Sequence, residues 1–533
     1  MNVLTPKVEI YGLDGAAAWA DVSADVVSDV RCTWGIHGWQ PKDRVADPGN
    51  ATFDLDNNTT NSGAVRGYYT LGHGSVREGF ANGVLVRISV VHTFFGTRVV
   101  WVGTIDKADP VPGVSDPRTK VACVDWMDDA ARSKLSGLAA ETNVQSDELF
   151  TILTAAMDKQ PPGGTQYGSG SDIYPYALDN TQDEKSKVIE ELQKLAMSEY
   201  GLVYLSAGVL IFEGRRRRSG IGSAALAFDE NNMVGLTLTN GRDDVLNRIQ
   251  VSVHPRRVDT VNGVLFKLAN SVQILRGASV TISCPYRDQN QQAQRIGGTS
   301  MVTPVAPPPP AGTDYVFNTL ADGTGTVITG QLAVVVTFGG NTAVATITNN
   351  GPQDGYIPAQ GFQLRGIGLY DFEPVISDAR DQASIEVVGE NPLGYDMPYQ
   401  SSVDNARDMA SFILSLNKDS RLRPKTVTWV ANWDDTLTAF FFGGEISSRV
   451  SITSAAMGLD ASLCYINGYN VSISKAGVCR ITCDLAPVDT TAFWLLEVDG
   501  FTELDETTVL GYGLFVAGWL LDTSVLGTDT FLN

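Results

Sequence analysis

The sequence predicts a mainly β chain with α+β elements, divided into several domains. Short runs of alternating apolar residues recur along its length, Gly, Asp, Asn and Pro separate them, and only four stretches switch to helical spacing. With 533 residues, 43% of them hydrophobic, the chain can bury several cores.

From Val8 to Trp126 the strands are short and closely spaced, as in a β-barrel or sandwich. Val84, Val86, Ile88 and Val90 are expected to share one face, with Arg87 and Ser89 on the other. Helical spacing takes over at 126–138 and again at 146–159. There Ser146 reads as an N-cap, acids occupy the first turn, and Pro-Pro-Gly-Gly at 161–164 ends the helix. A new domain is expected near 135. Past the polar, Gly-rich stretch 163–182, a helix over 183–199 puts Val188, Leu192, Leu195 and Ala196 on one stripe. Asp183 and Glu184 would lie at the positive end of its dipole. Strands follow through Leu210, Ile211 and Phe212.

Residues 234–285 return to alternation. The proline-rich run at 301–312 cannot continue a sheet, because proline lacks the amide donor, and it reads as a linker into an insertion. From there to 375 the chain is dense in Gly, Thr, Asn and Val, with Arg365 its one basic residue, which suits a small all-β module. A helix over 402–416, capped by Ser402, carries Val403, Ala406, Ala410 and Ile413 on one face. In the strands at 426–485, Cys479, Ile481, Cys483 and Leu485 alternate with Arg480, Thr482 and Asp484. In the last segment Trp494-Leu495-Leu496-Glu497 recurs as Trp519-Leu520-Leu521-Asp522, and two copies do not make a solenoid.

The 60 Asp and Glu outnumber the 39 Lys and Arg, for a formal charge of −21, so nonspecific clamping of a phosphate backbone is disfavoured. Almost half of that excess falls on 431–533, where Arg449, Lys475 and Arg480 face thirteen acids. Six scattered cysteines without a CxxC pair, and four histidines, predict a reduced, cytosolic site of synthesis with the thiols packed in cores. The opening Met1-Asn2-Val3-Leu4-Thr5-Pro6 has no basic-then-apolar leader, and no apolar run reaches the ~18 residues that span a bilayer. Stable membrane insertion is not expected.

No phosphate-binding, dinucleotide, zinc-protease, nucleophile-elbow or calcium-loop motif occurs. The carboxylate pairs Asp434-Asp435 and Asp128-Asp129 suit helix ends better than a glycosidase pair, whose carboxyls must face each other across ~5–10 Å. His37, His73, His92 and His254 lie far apart, and none activates a Ser or Cys. No catalytic, cofactor or metal residues are therefore expected. The basic run Arg215–Arg218 is expected to make salt bridges with another subunit.

Two stretches carry a family resemblance. The first runs Arg44-Val45-Ala46-Asp47-Pro48-Gly49-Asn50-Ala51-Thr52-Phe53-Asp54-Leu55-Asp56-Asn57, then Val84-Leu85-Val86-Arg87-Ile88, Val102-Gly103-Thr104-Ile105-Asp106, and Val121-Ala122-Cys123-Val124-Asp125 leading into a helix. It resembles the opening domain of tail-tip (baseplate) hub proteins of long-tailed bacteriophages. The second, from Asp314-Tyr315 through Val334-Val335-Val336-Thr337-Phe338 and Ala345-Thr346-Ile347-Thr348 to Leu364-Arg365-Gly366, is similar to an inserted β-module of phage tail proteins. The closing Trp519-Leu520-Leu521-Asp522 is similar to their C-terminal segment.

The resemblance implies two tail-tube-like domains in one chain, assembled as a homotrimer, so that three chains present six such domains. Its domains would be 1–135, the first tube-like domain; 136–230, a bracing α+β domain; 231–300 with 376–490, the second tube-like domain; 301–375, the linker and inserted β-sandwich; and 491–533, a C-terminal extension. A threefold ring of doubled domains matches a sixfold tube without a symmetry clash. The implied partners are the distal tail ring and tail tube proteins, the tape-measure protein, and tail fibres or other tip proteins, with DNA only in transit. The implied location is the tail tip of a virion assembled in the host cytoplasm. Two rival readings are a carbohydrate-binding or carbohydrate-cleaving tip protein, suggested by nine Trp and seventeen Tyr, and a receptor-binding adhesin recognising through 313–375.

Overall fold

The computed structural model describes residues 3–488, apart from 114–115, 136–137, 139, 179–185, 219–222, 289 and 307–313. The chain is mainly β, and its largest element is an open sheet of thirteen strands. Two six-strand sets with one spatial order build it. The first runs Thr5–Tyr11, Leu85–His92, Gly96–Val111, Arg118–Val124, Asn50–Asp56, Val30–Gly35, with Trp19–Asp21 added outside Thr5–Tyr11. The second runs Leu226–Phe228, Arg449–Ser454, Leu459–Ile473, Cys479–Pro487, Arg423–Val430, Met233–Thr239.

The match extends to register. Gly96–Val111 pairs with Leu85–His92 as far as Thr104, then with Arg118–Val124, and slips register between Ile105 and Lys107. Leu459–Ile473 pairs with Arg449–Ser454 as far as Tyr465 and with Cys479–Pro487 from Cys464, slipping between Ile466 and Gly468. A bulge adds one residue and sharpens local twist, so the two long strands bend at matching points. The sets differ at their first strands: Thr5–Tyr11 is antiparallel to its neighbour, Leu226–Phe228 parallel.

Val86, Ile88 and Val90 are buried as expected, and so is Ser89. Ser89 keeps its register opposite Lys7, the one-residue slip being carried by the neighbouring strand at Val100, while Arg87 stays half-exposed and bonds Glu9 at 2.8 Å.

The helix Trp126–Arg132 is shorter than expected and is capped by Asp125, whose carboxylate accepts from the Met127 amide at 3.0 Å. Burial pushes the Asp125 carboxyl up to about 7. Since the folded value exceeds the unfolded one, the charged form is disfavoured by folding, and this site loses stability as pH rises from about 4 to 7. Asp125→Asn keeps an N-cap side chain and should flatten that part of the stability-pH profile by about 2 kcal/mol or more, read by urea unfolding at pH 4, 5.5 and 7.

The helix Ser146–Ala155 begins after Gln145, whose backbone amide donates to Glu148 at 3.1 Å. Ser146 is not its cap; it lies inside the helix and donates to Glu199. The helix Val188–Glu199 carries the expected stripe, while Asp183 and Glu184 lie outside the described residues. Val403–Asn417 is capped by Ser402 as expected and packs on a three-stranded sheet of Val375–Arg380, Arg248–Val253 and Pro392–Met397.

The inserted module begins earlier than the proline run. Arg256–Val258, Gly263–Lys267 and Gly297–Val302 all pair with Gln363–Asp371, and Ser279–Pro285 pairs with Thr342–Asn349, which pairs with Leu332–Phe338. One core reaches from Leu265 to Tyr370. The strands at 263–302 thus pair with the module and not with the second strand set. Alternation fixes which face of a strand is buried but says nothing of its partner. No helix among the described residues is long and apolar enough to cross a membrane.

Candidate functional site

The two strand sets meet along one seam, where Val30–Gly35 lies antiparallel to 468–473, pairing Gly35 with Gly468 and Val30 with Ile473. At its upper end the backbones nearly touch. Gly35 has φ +94°, and a Cβ there would come within 2.7 Å of the Asn467 carbonyl oxygen and 2.8 Å of the Gly468 Cα. Trp34 stacks on Tyr469 at 5.1 Å, His37 Nδ1 lies 2.7 Å from Asp484, and the Asn467 amide donates to the Gly38 carbonyl at 2.6 Å. Both sets contribute to one core, which includes Phe53 and Trp101 from the first and Phe228 and Trp429 from the second.

The α+β region around 141–218 bonds to both sides of this seam. On the first set, Ala46 donates to the Val203 carbonyl at 2.8 Å and Val203 to the Arg44 carbonyl at 2.9 Å. On the second, Arg218 donates to Ser447 at 2.9 Å and Asn467 at 2.7 Å, with its guanidinium 5.0 Å from the Tyr465 ring centre. Burial lowers Arg218 to about 10. Glu213 accepts from the Tyr204 hydroxyl at 2.9 Å and from Ser447.

Arg215 turns into this region itself. Its two terminal nitrogens each bond one oxygen of Asp172 at 2.7 Å, and Glu199 stands 3.8 Å away. Gln400 also donates to Asp172, at 2.9 Å, and Ser146 donates to Glu199 at 3.0 Å. Burial raises the Glu199 carboxyl, with Arg215 opposing it. The basic run was expected to face another subunit; instead Arg218 ties this region to the second strand set, Arg215 pairs with Asp172 and Glu199 inside the region, and Arg216 and Arg217 are exposed. A run of like charges reads the same in sequence whether it faces solvent or buried carboxylates.

The remaining candidates for chemistry take local roles. Asp434 caps the helix Asp435–Gly443, accepting from Leu437 at 2.7 Å. Asp128 pairs with Arg132 at 2.9 Å and Asp129 with Lys159 at 2.6 Å. His73 and His92 accept backbone amides in turns, and His254 lies 2.8 Å from Asp396. All six cysteines are buried and unpaired, and burial pushes Cys464, Cys479 and Cys483 up to about 12. Among the described residues no three His, Cys, Asp or Glu side chains gather where they could hold a metal.

No protein family matches this chain, and neither does any curated protein. Solved structures similar to it include a 43 kDa tail protein of prophage MuSo2 from Shewanella oneidensis, at 11% identity, covering 90% of this chain and 98% of that one, with a TM-score of 0.48. A tail protein from Neisseria meningitidis MC58 is similar at 8% identity over 91% and 96% of the two chains, TM-score 0.46. Prophage tail protein gp18 from Listeria monocytogenes EGD-e is similar at 9% identity over 90% and 94%, TM-score 0.35.

Proposed function

We propose that this chain is a structural subunit of a phage tail, forming a homotrimeric hub ring at the tail tip that continues the tail tube and lets DNA pass. The observation that carries the reading is the doubled strand set. Two strand sets of one spatial order sit side by side in one sheet, and the seam between them is a pattern that copies of the chain can repeat. At the seam, the last strand of the first set pairs with the stretch of the second set's long strand that lies beyond its bulge. The matching stretch of the first set's long strand, Lys107–Val111, pairs on one side with Arg118–Val124. The matching last strand of the second set, Met233–Thr239, has Arg423–Val430 as its neighbour on one side and Val234 exposed. An unpaired strand edge is a template for another strand. Three copies joined in this way give six tube-like domains, with distal tail and tube proteins, tape-measure protein and fibres as partners. The acidic surplus would keep DNA from adhering in transit. In this reading the role is structural and not catalytic.

Matching the bulges places Thr237 opposite Val111 of the next copy. With Thr237→Cys and Val111→Cys in one chain, mild oxidation should give covalent dimers and trimers, and each single variant should give neither. Cross-linking confined to single chains, or absent, would remove the ring.

A further inference from the structure

The inserted module stands on a two-stranded stem that breaks midway. Below the break Arg248–Val253 pairs with Val375–Arg380, ending with Val253 opposite Val375, in the sheet on which Val403–Asn417 packs. Above it Arg256–Val258 pairs with Gln363–Asp371, starting with Arg256 opposite Asp371, in the module. Between these pairs His254 and Pro255 on one strand face Phe372, Glu373 and Pro374 on the other. Each strand carries a proline there, which has no amide to donate, and the two sides differ in length, so the ladder cannot run through. The Phe372 amide donates to the Pro255 carbonyl at 3.1 Å across the gap, and His254 is tied down by its amide to the Gln400 carbonyl at 2.8 Å.

Beyond the stem, the module rests on residues 140–177 through a small contact. Ala140, Tyr176 and Leu369 form a core of three buried side chains, against fifteen in the module's own core, so the module is far stiffer than its joint. Thr299 donates to the Ala140 carbonyl at 3.2 Å. Arg256, the first residue above the break, donates from Nη1 to the Tyr176 carbonyl at 2.9 Å, and its guanidinium lies 4.5 Å from the Tyr176 ring centre and 5.6 Å from that of Tyr399. Its Nε is buried with no hydrogen-bond partner among the described residues, and the Asp371 carboxylate stands 3.7 Å away. A buried donor left unpaired works against the docked arrangement, and water satisfies it on opening. The same guanidinium thus holds the contact and weakens it, which leaves docked and open arrangements close in free energy.

We propose that the module is a rigid arm that turns about the break at 254–255 and 372–374, and that Arg256 is the latch that holds it docked. A hinge confines the backbone change to a few residues at element ends, and here those residues join strands that are paired up to the break on either side. Opening uncovers Tyr176 and Leu369 while both halves of the stem stay intact. The inference concerns one chain and does not depend on the tail assignment.

The test measures the distance between spin labels on Thr151→Cys and Val335→Cys, both at exposed positions, by double electron–electron resonance on the full chain diluted with unlabelled protein. The six native cysteines are buried and stay unlabelled. The parent should give one distance, with an open population of at most about 10%. Arg256→Ala should raise the population at a second distance at least fivefold, and Thr299→Val, a milder change at the same joint, should raise it by less. Arg276→Ala, in an exposed turn of the module, should change nothing. A control pair inside the module, Leu275→Cys with Val335→Cys, should keep one distance in every variant. One unchanged distance for the 151–335 pair in both Arg256→Ala and Thr299→Val overturns the proposal. Broadening of the 275–335 pair also overturns it, because the module would then be unfolding instead of turning.

Discussion

Gly35→Ala is expected to destabilise the protein by about 2–5 kcal/mol. The left-handed backbone alone costs a Cβ-bearing residue about 1–2 kcal/mol, and forcing a methyl into a close-packed place adds about 1–3. Here both apply, because the methyl would overlap the Asn467 carbonyl, the Gly468 Cα and the Ile446 side chain, each within 2.8 Å. Gly12 separates the two contributions. It has φ +81° with nothing within 4 Å of a Cβ, so Gly12→Ala should cost only the backbone share, about 1–2 kcal/mol. Urea midpoints at constant m-value read both variants. Equal losses at the two positions would mean that the seam is not close-packed at Gly35.

Arg215→Met is expected to cost about 3–5 kcal/mol at neutral pH, because it strands Asp172 and Glu199 as buried, unpaired charges. Its pH dependence distinguishes this from lost packing. Glu199 is already raised by burial, which Arg215 opposes, so without Arg215 it rises further. A carboxyl with a raised folded pKa contributes no penalty below its unfolded value of about 4, and the penalty grows as pH climbs towards the folded value. The deficit of Arg215→Met relative to the parent should therefore be smallest near pH 4–5 and largest at pH 7 and above. A deficit constant across that range would assign the loss to packing of the side chain's stem. Arg215→Lys, which keeps the charge but not the two-pronged geometry, should fall between.

The fold class was legible because period-2 alternation survives in nearly every strand; Cys479, Ile481, Cys483 and Leu485 are buried in sequence as well as in fold. Helix ends were less so. Ser146 has the chemistry of a cap, but its hydroxyl is used by Glu199, which lies 53 residues away. The module boundary was missed because 263–285 alternates like any other strand pair and only its partners, around 342–371, show where it belongs. Of the seam, Gly35 and its partner Gly468 inside strand patterns are the signals present in the sequence, since glycine in a strand often marks close backbone approach. Asn467, Ser447 and Glu213 act through partners distant in sequence, and nothing local announces them. The second strand set is interrupted by about 180 residues between Met233–Thr239 and Arg423–Val430, which hides the internal repeat from any linear comparison.

The mass of the purified chain in solution, measured by light scattering and native mass spectrometry over a range of concentrations, tests the ring most directly. Exposed edges at Met233–Thr239 and Lys107–Val111 that satisfy one another between copies predict a species of three chains that Thr237→Pro dissociates. A monomer at every concentration, indifferent to that substitution, would contradict the hub assignment.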